Sequence, residues 1–128
     1  MEFATAIKQY AAYQNIQHNT TSKTQQVVML YEAIIKYLNK SIISIQEKNI
    51  QDRYNNIERA CKIILTLQSA LDFDRGGKVA VVLDHYYHHM DMRLIKIQRT
   101  NNIEHLKEII GEIELMKDAW DQIYRMDG

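Results

Sequence analysis

The chain has 128 residues, enough for one domain with one core, and its lack of proline and four glycines leave little material for the turns of an all-β fold, so helices are expected. Sixteen basic and sixteen acidic residues cancel to a net charge of zero, which excludes a basic platform of the kind nucleic acid needs. The single cysteine, Cys61, excludes an intrachain disulfide.

Residues 1–21 are expected to form a tail. Phe3, Ile7, Tyr10 and Tyr13 have helical spacing, followed by the polar run Asn15 to Thr21. A short amphipathic piece on a polar tether can fold back over an apolar groove or fray as most termini do. Met1 to Tyr13 contains Glu2, Lys8 and Gln9 and so has no signal-peptide h-region. No apolar window approaches the ~18 residues of a membrane span, so a cytoplasmic protein is expected.

Residues 22–128 are expected to form a single four-helix domain. Ser22 and Gln25 have capping-box spacing, and Val27, Leu30, Tyr31, Ile34, Leu38, Ile42 and Ile45 then recur at steps of three and four to about Glu47. Lys48-Asn49 breaks the pattern, and Asn49 with Asp52 can start a second helix. Its stripe is Tyr54, Ile57, Cys61, Ile64, Leu67 or Gln68, and Leu71, and Gly76-Gly77 is expected to stop it. A third stripe follows: Val79, Leu83, Tyr86, Tyr87, Met90, Leu94 and Ile97. Thr100-Asn101-Asn102 interrupts it, with Asn101 and Glu104 at cap spacing. The fourth stripe is Leu106, Ile109, Ile110, Ile113, Met116, Trp120 and Ile123. Three short connectors between four matched helices predict an all-α, up-down-up-down antiparallel bundle.

The stripes are wider than a bundle core needs. Ile35, Ile43, Ile63, Leu65, Val81, Val82 and Ile95 flank the main seams. They read either as the broad apolar arc common in globular helices or as a groove for a partner's apolar segment.

Catalytic and metal signals are weak. His85 and His89 stand at i,i+4 with His88 beside them, yet there is no His-Glu-x-x-His and no Glu-x-x-His pair. Arg75-Gly76-Gly77-Lys78 lacks phosphate-loop spacing and follows no strand. Cys61 lies on an apolar stripe, where it acts as a small hydrophobe. No enzyme, metal or cofactor is expected. The competing readings are a metal-binding bundle built on the histidines and a bundle that pairs with its own copies.

Several features in order resemble the FliS family of flagellar secretion chaperones. They are Ala12-Tyr13-Gln14, Met29-Leu30-Tyr31-Glu32, Leu71-Asp72-Phe73 before Gly76-Gly77, then Val79-Ala80, Leu83, Tyr87 and Met90, and finally Asp118-Ala119-Trp120. The resemblance implies an antiparallel four-helix bundle that binds the disordered C-terminal segment of flagellin in the cytoplasm. It keeps that partner from polymerising and brings it to the export gate; a co-chaperone is a further partner to look for. It also implies an N-terminal cap, which falls on Phe3, Ile7, Tyr10 and Tyr13. Ile64, Leu71, Leu83, Tyr87 and Trp120 are the expected groove walls, with buried core as their competing role. Lys23, Gln26 and Ala33 depart from the usual proline, leucine and glycine. Lys78, Val82 and His88-His89 depart around the second turn, where partner contacts are expected to differ.

Overall fold

A computed structural model describes residues 20–127, with side chains from 24 to 122. The four helices are α1 (Thr20–Gln46), α2 (Ile50–Ser69), α3 (Phe73–Thr100) and α4 (Ile103–Asp127). Each packs beside its neighbour in sequence, and α4 returns to α1. This cyclic arrangement leaves α1 and α3 on one diagonal of the bundle. The tail residues Phe3, Ile7, Tyr10 and Tyr13 lie outside the described residues.

The turns follow from local hydrogen bonding. At the end of α1 the Asn49 amide donates to the Ser44 carbonyl and the Lys48 amide to that of Ile45, a Schellman closure with Lys48 left-handed at φ 59°. Asn49 then caps α2: its side-chain oxygen accepts from the Asp52 amide at 3.1 Å, as its spacing predicts. The third turn also uses adjacent asparagines, but shares the work differently from expectation. Asn101 terminates α3 at φ 54°, and Asn102, one residue later, caps α4 by accepting from the His105 amide at 3.0 Å.

The second turn corrects the reading of the paired glycines. Helix α2 already ends at Ser69, and Asp72 caps α3 by accepting from the Arg75 amide at 3.1 Å. Gly76 and Gly77 therefore lie inside α3. Gly77 has φ 50° and ψ −124°, outside helical geometry, and kinks the helix one turn after its start. A Cβ at Gly77 would meet no atom within 4 Å, so only backbone conformation demands glycine there. At the other end of the bundle, α1 is already helical at Thr20, which puts Ser22 inside the helix.

The core is one continuous cluster. Tyr31, Ile34 and Leu38 come from α1, Ile57 and Ile64 from α2, Leu83, Met90 and Leu94 from α3, and Leu106, Ile109 and Ile113 from α4. The stripes on α3 and α4 match their periodicity closely. On α1 the buried arc is rotated toward Thr24, Val28, Ser41 and Ser44. The two serines tolerate burial because each hydroxyl donates to the carbonyl four residues back, at 3.0 Å. On α2 the arc takes in Asn56 and Ala60 and leaves Tyr54 half exposed. Polar ties hold the helices in register. Arg53 of α2 donates to Gln98 and Asn101, and Arg93 of α3 pairs with Glu112 of α4 at 2.7 Å.

Candidate binding surface

Helices α2 and α3 meet along a seam with a polar floor. Gln68 donates to Asp84 at 2.8 Å, Cys61 lies against Asp91, and Arg53 reaches Gln98. Helical spacing places the next side chains outward from each of these. On α2, Tyr54 and Leu65 stand seven before and four after Cys61; on α3, Val81, His88 and Ile95 stand three or four residues from Asp84 or Asp91. Tyr54, Leu65, Val81 and Ile95 are all exposed, Leu65 at 60%. Met92, 51% exposed, extends the same apolar strip around α3. Scattered single hydrophobes on a surface need no explanation, whereas this set flanks one seam on two adjacent helices.

Along the outward side of α3 lies a cleft of about 860 Å³. Gln68 contributes from α2, and Val82, Asp84, Tyr86 and Met92 line it together with His85, His88 and His89. The three histidines are exposed. Among the described residues, no three His, Cys, Asp or Glu side chains are grouped so as to hold a metal ion. The cleft can accept mixed apolar and polar side chains from a partner, with imidazoles as hydrogen-bonding rims.

The expected groove residues take a different place in the chain on its own. Ile64, Leu83, Tyr87 and Trp120 are core side chains, each no more than 2% exposed. Leu71 is partly buried in the turn between α2 and α3 and packs on the core edge. Tyr87 and Tyr31 join hydroxyls across the diagonal of the bundle, their ring centroids 6.5 Å apart. Burial raises the Tyr31 phenol well above its ordinary range, the Tyr87 hydroxyl adds to the rise, and the Trp120 indole opposes it. Burial likewise raises the Cys61 thiol, and the neighbouring Asp91 and Glu58 carboxylates reinforce it. A thiol held protonated in this way is a poor nucleophile.

Of the flank residues, Ile43, Leu65, Val81 and Ile95 do face outward, whereas Ile35, Ile63 and Val82 pack partly against the core. Met92 belongs to the exposed strip without standing on any predicted stripe, and Tyr54, expected on the buried stripe of α2, is half exposed instead. Tyr54 fits the α2 stripe by spacing, and only the rotation of the buried arc toward Asn56 and Ala60 turns it outward.

Fold and surface together define an all-α bundle protein that buries one apolar stripe of each helix and leaves a second strip open on α2 and α3. The chain matches the family described as flagellar protein FliS over residues 6–127, and it belongs to that family. Similar proteins include the flagellar secretion chaperone FliS of Vibrio cholerae, 32% identical over 97 residues that cover 76% of this chain and 71% of that one. The flagellar secretion chaperone FliS of Campylobacter jejuni is 27% identical over 115 residues, 90% of each chain. That of Bacillus subtilis is 26% identical over 113 residues, covering 88% of this chain and 84% of the other. These relatives are named as chaperones, a non-enzymatic role. No helix among the described residues is long and apolar enough to cross a membrane.

Proposed function

We propose that this protein is a cytoplasmic export chaperone that binds the disordered C-terminal segment of flagellin, prevents its premature polymerisation and delivers it to the flagellar export gate. The observation that carries this reading is the exposed apolar strip of Tyr54, Leu65, Val81, Met92 and Ile95 on a member of the FliS family. A disordered client loses chain entropy on binding, so its partner must offer a long apolar surface in return. Helix α3 spans 28 residues, or about 42 Å at ~1.5 Å per residue, and supplies that length.

In this reading Leu71 and the α2–α3 strip make the first contacts. Ile64, Leu83, Tyr87 and Trp120 form the wall behind them and are reached where the client parts the outer side chains. Phe3, Ile7, Tyr10 and Tyr13 act as a cap that competes with the client for the groove and so lowers its apparent affinity. The test is titration calorimetry with a flagellin C-terminal peptide. One-to-one binding by the full chain, strengthened on deletion of residues 1–19, is the expected result. Absence of binding by both forms would sink the reading.

A further inference from the structure

On the other side of α2, three cations gather around one aromatic ring. The Lys36 ammonium lies 5.3 Å from the centroid of Tyr37, the Arg59 guanidinium 5.7 Å and the Lys40 ammonium 5.9 Å. Arg59 and Cys61 are two residues apart, which turns them to nearly opposite sides of α2. This face is therefore distinct from the α2–α3 strip. None of the three cations forms an ion pair with a described carboxylate; the only polar partner of Arg59 there is the Asn56 side-chain oxygen at 3.5 Å. The chain has as many acidic as basic residues, so a shortage of carboxylates does not account for this.

The surroundings specify the shape of a ligand. Met29, Ala33, Lys36, Lys40 and Ile43 recur at steps of four and three, making one outward row on α1. Its ends are apolar, with Met29 59% and Ile43 53% exposed, and its centre is cationic. From Met29 to Ile43 the row runs 14 residues, about 21 Å at ~1.5 Å per residue. A duplex or RNA strand would call for cations along the whole row, and here they occupy only its middle. Three cations gathered over one ring hold their charges close together, which favours a partner that brings several carboxylates on one face.

We infer that the α1–α2 face around Tyr37 docks an acidic amphipathic segment of a second protein, with carboxylates on Lys36, Lys40 and Arg59 and apolar side chains on Met29 and Ile43. The inference is independent of the flagellin reading. It is tested by fluorescence anisotropy with the full chain and a labelled helical peptide carrying glutamates at its centre and leucines toward both ends. A twin peptide carries lysines in place of the glutamates. The glutamate peptide is expected to bind, to weaken as salt rises, and to lose more than about tenfold in affinity for a Lys36→Glu/Lys40→Glu/Arg59→Glu variant. The lysine twin is expected to bind that variant in preference to the parent.

Helical content by circular dichroism checks the reversed variant, and a milder Lys36→Gln/Lys40→Gln variant is expected to show an intermediate loss. Equal binding of the glutamate peptide to parent and variants overturns the inference, as does failure of the parent to bind it. It is also overturned if phosphatidylserine vesicles bind where the peptide does not, or if the reversal abolishes self-association of the chain. Binding of the flagellin peptide to the reversed variant is expected to stay unchanged. Absence of flagellin-peptide binding from both the full chain and the form lacking residues 1–19 would end the client reading and leave the glutamate result standing.

Discussion

The two faces of α3 have similar side chains and opposite fates. Inward, Leu83, Met90, Leu94 and Ile97 are at most 2% exposed; outward, Val81, Met92 and Ile95 are each about half exposed. Apolar burial contributes roughly 25 cal/mol per Å², so the inner face supplies stability and the outer face leaves that free energy unspent. Hydrophobic character alone therefore does not separate core from exposed strip on this helix. What separates them is whether the same chain supplies the cover.

The largest effect is expected on the inner face. Leu83→Ala removes a fully buried side chain from the bundle centre and is expected to cost about 2–5 kcal/mol, read from urea unfolding. A cost below about 1 kcal/mol would mean that the inner face is as dispensable as the outer. Gly77→Ala comes next. It attacks the kink that aims α3 before Val79, and forcing alanine to φ 50° is expected to cost about 1–3 kcal/mol although no atom clashes. A neutral result would show that the first turn of α3 swings freely.

Tyr31→Phe removes the hydroxyl link to Tyr87 and is expected to cost about 1 kcal/mol at neutral pH. The same change tests the alkaline limit. Tyr31 and Cys61 have raised values in the folded state, so both favour folding while protonated. Their contribution is whole below the unfolded values, about pH 8.5 for the thiol and about pH 10 for the phenol, and is lost as pH rises beyond them. The parent is therefore expected to weaken above about pH 8.5, and Tyr31→Phe to flatten the part above about pH 10. Smallest for stability is the outer pair: Val81→Ser/Ile95→Ser is expected to shift unfolding by less than about 0.5 kcal/mol while weakening the flagellin peptide. Unchanged peptide affinity would remove the α2–α3 strip from the client site.

Most of this architecture was legible in the residues, because the 3.6-residue period of α3 and α4 carries the fold directly. Asn49 announced its cap through Asp52. The turn signals failed where two neighbours were equally suited to one role: Asn101 and Asn102 have the same chemistry, and only the backbone shows which one ends a helix and which starts the next. Ser41 and Ser44 read as polar, yet each satisfies its own hydroxyl within α1 and goes inside. The site was harder to read for a related reason. Periodicity finds apolar positions without saying which have neighbours, so the signal that marks Ile64, Leu83, Tyr87 and Trp120 as walls is the same one that makes them core.

The burial of Trp120 has one more use. It is the only tryptophan of the chain and sits 2% exposed beside Tyr31 and Tyr87. Its emission thus reports one spot at the heart of the bundle with no competing fluorophore of its kind. A client resting on the outer strip leaves that colour unchanged, whereas one that prises the helices apart shifts it to the red.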